Sequence, residues 1–210
     1  MSGRFITLEG GEGVGKTTNI AYIQALLAEH NISVLLTREP GGTALAESIR
    51  QLLLDNEQEA IAEQTELLMM FAARAQHIKH VIQPVLDKGT WVLCDRFTDA
   101  TYAYQGGGRN MDLSTIQWLE NFVQGDFRPD LTLLLDAPIQ LGMQRAVQRG
   151  KLDRFESEQM TFFEQVRQAY LNIAEQQPER VMIIDATQSL ESVQKQIKQT
   201  LMQQLFKFEG

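Results

Sequence analysis

The sequence predicts an α/β protein built on a five-stranded parallel sheet with helices on both faces. Strand-like apolar segments recur at residues 4–9, 33–37, 90–95, 131–136 and 180–185. The intervals between them have the length of helices and are too long for hairpins, so right-handed crossovers between parallel strands are expected. A glycine-rich motif follows the first segment, and polar residues follow the others. Ligands of such sheets gather at the carboxyl ends of the strands.

Composition limits the classes of protein that fit. With 210 residues, 43% of them hydrophobic, the chain can bury one sizeable core, and we expect a single domain over residues 1–210. The 27 acidic residues exceed the 19 basic ones, and the net charge of −8 argues against nucleic-acid and membrane partners. The sequence has neither a signal-peptide pattern nor a membrane-length apolar run, which predicts a cytoplasmic protein.

The single cysteine and the three histidines give no sign of a redox or zinc site. Cys94 falls in an apolar run, which predicts a small buried side chain. His30, His77 and His80 lack metal-binding spacing with cysteines or carboxylates. Solvated or helix-capping roles are expected for them.

The segment at residues 7–18, TLEGGEGVGKTT, predicts a phosphate-binding loop between a strand and a helix. It fits the pattern G-x-x-x-x-G-K-[ST] without a gap. Its glycines permit conformations in which successive N–H groups converge on phosphate oxygens. Lys16 is expected at the β- and γ-phosphates, and Thr17 at Mg²⁺. The residues predicted to bind a nucleoside triphosphate here are Gly10, Gly11, Glu12, Gly13, Val14, Gly15, Lys16, Thr17 and Thr18.

The second predicted strand ends in a Pro/Gly turn at residues 37–43 that carries two charged side chains. Arg38 and Glu39 could pair with each other at the surface. They could equally contact a ligand, because they lie at the carboxyl end of their strand. The sequence leaves both interpretations open.

Residues 59–86 predict one long helix with an arginine on its apolar face. Arg74 shares that face with Phe71, and burying an unpaired guanidinium is strongly unfavourable. Two interpretations fit this position. One is an internal salt bridge, and the other is a clamp on a ligand whose flat ring stacks against Phe71.

Asp95 and Arg96 end the third predicted strand. Asp95 is placed like the Walker-B carboxylate of phosphate-loop enzymes, near Mg²⁺ and its waters, and Arg96 is expected in the same cleft. Thr101, Tyr104 and Gln105 come next, before a loop predicted at residues 106–109. Hydroxyls and amides beside aromatic rings suit recognition of a nucleotide base, although they also suit an ordinary loop.

The fourth predicted strand leads into a basic segment at about residues 145–156. Arg145 and Arg149 lie four residues apart on one helical face, and Arg154 follows. A mobile lid that closes over phosphates has this character, and a solvated basic face is the alternative. Farther along, Tyr170 lies in a core stripe and is expected to pack, with its hydroxyl left free for a partner.

These features together predict two anion sites that face each other. A hydrolase or a switch protein requires only one. We therefore expect phosphoryl transfer from a nucleoside triphosphate to a second phosphorylated small molecule. In such reactions positioning and charge neutralisation supply most of the catalysis, so no protein nucleophile is required.

Over nearly its whole length the chain resembles the bacterial thymidylate kinases. The resemblance is carried, in chain order, by FITLEGGEGVGKTT, TREPGGT, FAAR, DRFTDATYAYQGGGR, GDFRPDLTLLLD and RGKLDRFE. It implies a P-loop nucleoside-monophosphate-kinase fold and a homodimer. It also implies the Mg²⁺-dependent reaction of ATP with dTMP to give ADP and dTDP, a step of dTTP synthesis.

The resemblance implies roles for individual residues as well. Phe71 would stack on thymine, Arg74 would bond the edge of the base, and the peptide bond before Pro40 would be cis. Arg145 would lie near the adenine of ATP. The implied metal ligands are Thr17 and Asp95. The implied catalytic residues are Glu12, Lys16, Arg96 and Arg149. The implied dTMP-binding residues are Glu12, Arg38, Glu39, Phe71, Arg74, Arg96, Thr101, Tyr104, Gln105 and Tyr170.

The phosphate loop differs from that of the eukaryotic members of the family at Gly13, where they carry an arginine. The charge that develops in the transition state must still be neutralised. Arg149 of the lid segment is expected to supply the missing cation, with Arg154 assisting.

Two alternatives remain open from the sequence. Another nucleoside-monophosphate or small-metabolite kinase would share the fold. A nucleotide-operated switch protein would use the phosphate loop without the second arginine cluster, and the N-K-x-D signature of guanine-binding switches is missing from the sequence.

Overall fold

The described strands form a five-stranded sheet in which all neighbouring strands are parallel. The structure, a computed structural model, describes residues 3–55, 59–149, 154–156 and 158–207. The strands are β1 (Phe5–Glu9), β2 (Val34–Arg38), β3 (Trp91–Asp95), β4 (Leu131–Asp136) and β5 (Val181–Asp185). Their order is β2-β3-β1-β4-β5. Each lies within one residue of its predicted position, and the predicted fold class is confirmed.

Helices cover both faces of this sheet. They are α1 (Lys16–Glu29), α2 (Ala44–Leu54), α3 (Glu63–His77), α4 (Gln83–Leu86), α5 (Thr98–Thr101), α6 (Leu113–Gln124), α7 (Ile139–Arg149), α8 (Met160–Gln176) and α9 (Leu190–Lys207). Two π-helical segments, Ile78–Ile82 and Tyr102–Gly108, follow α3 and α5. In the described part of the chain, no helix is long and apolar enough to cross a bilayer.

The central strand β1 divides its side chains between two cores. Ile6 and Leu8 face a core built with α1 and α9. Phe5 faces the opposite core, which includes Phe97 and Ile82. All five residues of β1 are buried, as expected for a parallel strand covered on both faces. The carboxyl end of β1 is therefore held rigidly where the phosphate loop begins.

The helix predicted at residues 59–86 is shorter and less regular than expected. It starts at Glu63, four residues later than predicted, and widens into the π-helical turn Ile78–Ile82 before α4. π-Helical turns inside helices occur frequently at functional sites. This one follows His77 directly, so the widened turn lies next to the end of α3.

His77 and Cys94 are both buried, and only the second was expected to be. Cys94 is 0% exposed in β3, which confirms the prediction, and burial raises the pKa of its thiol well above the usual value. His77 is also 0% exposed, so the prediction of a solvated or capping role is wrong for this residue. Its ring nitrogens have polar partners inside the fold, which remove the need for solvent.

The loop predicted at residues 106–109 is mostly helical. Its three glycines complete the π-helical segment Tyr102–Gly108, which packs against α8. A Cβ added at Gly107 would lie 2.6 Å from Ala169, and one added at Gly108 would lie 2.3 Å from the Phe162 ring. The glycines thus allow close approach of two helices, and the sequence alone did not separate this use from a flexible loop.

Candidate active site

A cleft of about 640 Å³ opens at the carboxyl ends of the central strands and collects most of the predicted site residues. Those that line it are Glu12, Gly13, Val14, Gly15, Lys16, Thr17, Thr18, Arg38, Glu39, Arg74, Asp95, Arg96, Thr101, Tyr104, Gln105 and Arg145. Gly10, Gly11, Phe71 and Tyr170 are not among its lining residues. Arg50, Leu54, Met70 and Phe155 line it without having been predicted.

The phosphate loop has the backbone geometry that its glycines permit. Gly10, Gly13 and Gly15 all have positive φ angles, and α1 begins directly afterwards at Lys16. The Lys16 ammonium donates to the carbonyls of Gly10 at 3.1 Å and Gly11 at 2.7 Å. Burial, followed by the neighbouring positive charge of Arg96, lowers the pKa of Lys16 to about 8. The ammonium is thus held over the loop, where it can bind phosphate oxygens.

Helix α7 touches the phosphate loop through a contact between two glycines. A Cβ added at Gly13 would lie 1.9 Å from the carbonyl oxygen of Gly142, and one added at Gly142 would lie 2.3 Å from the carbonyl oxygen of Glu12. Neither distance is compatible with a side chain. Gly13 is therefore required by packing as well as by its φ of 66°.

Asp95 and Thr17 fit a divalent cation with several retained waters. Both line the cleft, and Oδ1 of Asp95 is a buried oxygen that has no hydrogen-bond partner among the described residues. A buried carboxylate oxygen normally requires such a partner or a metal. Mg²⁺ is commonly held by one or two protein oxygens together with water and phosphate, so these residues suit it.

Arg96 sits at the junction of the phosphate loop and the segment after β3. Its φ is 67°, a left-handed conformation that is uncommon for a residue with a side chain. Its guanidinium donates to Glu12 Oε1 at 2.6 Å, to the Gly10 carbonyl at 2.9 Å and to the Tyr170 hydroxyl at 3.2 Å. It also lies 4.8 Å above the ring of Tyr104.

Glu9 helps to position Arg96 by binding two of its neighbours, Phe97 and Tyr170. Its carboxyl group accepts from the backbone N–H of Phe97 at 2.6 Å and from the Tyr170 hydroxyl at 2.7 Å. Burial first, and the nearby Asp99 second, raise the pKa of Glu9 to about 8. The Tyr170 hydroxyl is thus engaged by Glu9 and Arg96, so the prediction that it is left free is wrong.

Arg74 forms the internal salt bridge that one of its two interpretations predicts. Nε donates to Glu39 Oε2 at 2.7 Å, and Nη2 donates to Thr101 Oγ1 at 2.9 Å and to the Phe97 carbonyl at 3.3 Å. Nη1 is buried and has no hydrogen-bond partner within the described part of the chain. The internal salt bridge therefore orients the guanidinium, and the ligand-clamp interpretation stays a prediction.

Arg38 and Glu39 do not pair with each other. Arg38 is exposed and donates to Glu47 at 2.9 Å, whereas Glu39 is 5% exposed and binds Arg74. The Glu39–Pro40 peptide bond is cis, as the family resemblance implied. The turn after β2 thus sends one charge toward solvent and the other into the fold.

Phe71 does not lie where the resemblance placed it. It is 2% exposed and packs with Leu67, Ile116 and Leu119 under Arg74, whose guanidinium carbon is 4.9 Å from the centre of its ring. The residue of α3 that lines the cleft beside Arg74 is Met70. A shift of one residue rotates a helical side chain by about 100°, which turns Phe71 into the core.

Tyr104 and Gln105 reach the cleft from the π-helical segment after α5. The Tyr104 hydroxyl donates to Glu12 Oε1 at 2.6 Å. The Gln105 amide donates to Glu66 Oε1 at 2.8 Å, and Glu66 is almost completely buried. Both side chains are thus fixed by carboxylates from other elements, which pre-organises this wall of the cleft.

The basic segment is described only in part. Arg145 lines the cleft, and its guanidinium donates to the Ala186 carbonyl at 3.3 Å. The side chain of Arg149 and all of residues 150–153 lie outside the described residues. Arg154 donates to the Leu53 carbonyl at 2.7 Å and to Glu66 at 2.5 Å, and it does not line the cleft. Phe155, its neighbour, does line it.

Comparisons with known proteins agree on one family. Residues 8–197 match the family model described as Thymidylate kinase. The chain is 61% identical over 197 residues to thymidylate kinases of Pseudomonas putida strain F1 and Pseudomonas entomophila strain L48, with 94% of each chain covered. The crystal structure of thymidylate kinase from Ehrlichia chaffeensis superposes with a TM-score of 0.79 at 34% identity, covering 96% of this chain and 99% of that one.

The lowered pKa of Lys16 predicts a pH dependence of triphosphate use. Binding requires the ammonium form, so kcat/KM for the triphosphate should fall as the pH rises through about 8. Bound phosphates favour the ammonium, so kcat should fall only at a higher pH. Steady-state rates between about pH 6 and pH 10 measure both profiles.

Lys16→Arg is the matched control, because a guanidinium stays charged throughout this range. In this variant the fall near pH 8 should disappear. A wild-type kcat/KM that stays flat over the whole range would contradict the assignment.

Proposed function

The chain belongs to the thymidylate kinase family and phosphorylates dTMP, and we propose that its cleft performs this reaction by in-line transfer of the γ-phosphoryl group of ATP. The products are ADP and dTDP, and the reaction contributes to dTTP synthesis. One observation carries the proposal. Glu12, inside the phosphate loop, accepts hydrogen bonds from Arg96 and Tyr104 of the opposite wall, so the donor and acceptor sites share one cleft.

ATP is held at the phosphate loop. The backbone of residues 10–18 and the ammonium of Lys16 bind its phosphates. Arg145 lies on the adenine side, next to the carbonyl of Ala186. Thr17 and Asp95 would hold Mg²⁺, and the bound ion would supply positive charge to the transferred phosphoryl group.

dTMP occupies the opposite wall. Arg96 binds its phosphate, and the contacts from Glu12, Tyr170 and Gly10 hold that guanidinium in place. Arg38 and Arg50 line the same cleft and add positive charge to it. A phosphate oxygen of dTMP is itself the nucleophile, so the protein contributes position and charge.

The thymine base lies between Arg74 and the residues that follow β3. Arg74 Nη1 is the donor for the edge of the base, and Thr101, Tyr104 and Gln105 complete the pocket. Met70 supplies the apolar contact that the resemblance assigned to Phe71. Glu39 acts from behind by orienting Arg74.

The proposal also includes a homodimer. Trp118 and Phe122 on α6 are 64% and 75% exposed and stack with their ring centres 5.6 Å apart. Leu68, 56% exposed, lies on α3, which packs against α6. Large exposed apolar side chains of this kind mark interaction surfaces, and the mass in solution is the direct check.

A cytoplasmic location remains a prediction from the sequence, and the net charge of −8 supports an absence of nucleic-acid and membrane partners.

A panel of acceptors tests the function. With ATP and Mg²⁺, the wild-type protein should show its highest kcat/KM with dTMP, compared with dUMP, dCMP, dGMP and AMP. The donor on Arg74 suits the carbonyl at position 4 of thymine, which cytosine lacks, and the 5-methyl group adds apolar contact that uracil lacks. A coupled assay of ADP release, with direct detection of the diphosphate product, measures this. ATP hydrolysis without transfer to any monophosphate would overturn the proposal.

Arg149→Ala should lower kcat by about 10³-fold, because one well-placed cation contributes that much to phosphoryl transfer. The thermal unfolding temperature should change little. Arg128→Ala is the matched control, since Arg128 pairs with Glu120 away from the cleft, and its kcat should stay near the wild-type value. Wild-type turnover in Arg149→Ala would refute the role of the lid arginine.

Two neighbouring substitutions separate the cleft from the core. Met70→Ala should raise the KM for dTMP roughly tenfold, because it removes apolar contact with the base. Phe71→Ala should lower the free energy of unfolding by about 3–5 kcal/mol, because it empties a buried aromatic site. Kinetics and chemical denaturation measure the two effects. A large rise in KM for dTMP in Phe71→Ala at unchanged stability would restore the stacking role to Phe71.

A further inference from the structure

His77, the last residue of α3, is buried behind the cleft and does not line it. Its Nε2 lies 2.7 Å from Thr37 Oγ1, and its Nδ1 lies 3.1 Å from Glu39 Oε1. A carboxylate paired with a guanidinium only accepts hydrogen bonds, so the Nδ1–H of His77 donates to Glu39. Both ring nitrogens are thus committed to named partners, and the ring orientation is fixed.

Glu39 connects this imidazole to the cleft. Its Oε1 accepts from His77, and its Oε2 accepts from Arg74 Nε at 2.7 Å. One donor holds each oxygen, so the carboxylate cannot rotate without losing a buried hydrogen bond. Nη2 of the same arginine donates hydrogen bonds to Thr101 Oγ1 and to the Phe97 carbonyl. This arrangement leaves Nη1 of Arg74 as the donor for a ligand.

The turn after β2 is shaped around the imidazole. A Cβ added at Gly42 would lie 2.3 Å from His77 Nε2 and 2.8 Å from Thr37 Oγ1, and Gly42 has a φ of +85°. The backbone therefore closes directly onto the ring. A side chain that only filled core volume would not require polar partners on both sides of the ring.

We propose that His77 is a positioning residue that sets the base specificity of the acceptor site through Glu39 and Arg74. The inference rests on the proposed function, because it assigns Arg74 Nη1 to the edge of thymine. A guanidinium nitrogen can only donate. It therefore fits the carbonyl at position 4 of thymine and opposes the amino group that cytosine carries there.

Loss of His77 would act on this donor indirectly. Glu39 Oε1 would be left buried without its donor, and unsatisfied buried carboxylate oxygens are strongly unfavourable. The freed oxygen would compete for Arg74 Nη2, which Thr101 and Phe97 hold in the wild-type protein. The guanidinium would then rotate, and Nη1 would lose its alignment with the base.

The experiment compares dTMP with dCMP as acceptors at saturating ATP. In His77→Leu, the ratio of kcat/KM for dTMP to that for dCMP should fall by about tenfold, which is the effect of one misaligned hydrogen bond. The fall should come from a higher KM for dTMP, with the KM for ATP unchanged. His77→Asn, whose amide nitrogen can replace Nδ1 as donor to Glu39, should recover most of the ratio. His80→Leu, at an exposed position three residues later, should match the wild type.

Each outcome decides between positioning and simple packing. A folded His77→Leu with a lower unfolding temperature and an unchanged ratio would overturn the proposal. If that variant does not fold, Thr37→Val tests the same chain of contacts from its outer end. It should lower the ratio several-fold, and an unchanged ratio would overturn the proposal as well. The proposed function fails only if the wild-type protein transfers no phosphoryl group to dTMP, and the same assay shows this independently of the variants.

Discussion

The guanidinium of Arg96 joins the two halves of the cleft, and most of the site depends on its position. It bonds to Glu12 and Gly10 of the phosphate loop on one side and to Tyr170 on the other. Its left-handed backbone conformation is held by the hydrogen bond from the next residue, Phe97, to Glu9. Strain at one residue is thus balanced by a buried carboxyl group at the end of the central strand, an arrangement typical of functional sites.

Carboxylates hold three arginines of the cleft and its margin. Arg96 pairs with Glu12, Arg74 with Glu39 and Arg154 with Glu66. A buried guanidinium without such a partner would be strongly destabilising. The carboxylates therefore allow arginines to be buried at the cleft, where they can bind anions. They also fix the direction of each cation before a ligand arrives. The cleft is therefore pre-organised, which favours catalysis by position and charge.

The strands were predictable because buried parallel strands appear as uninterrupted apolar runs, and the polar residues after them were predictable because parallel strands bring their carboxyl ends together. The sequence did not show that Met70 lines the cleft and Phe71 the core, since a difference of one position on a helix decides between them. The burial of His77 was also hidden from the sequence. Its partners, Thr37 and Glu39, lie 40 and 38 residues away, and only the fold brings them together.

The glycine pair at Gly13 and Gly142 couples residue choice in the phosphate loop to the position of a helix. The backbone of α7 occupies the space that a side chain at Gly13 would need. An arginine at position 13 would therefore fit only after α7 had moved away from the loop. Sequence position 13 thus reports on the distance between the phosphate loop and α7, and a glycine there requires that the two backbones touch.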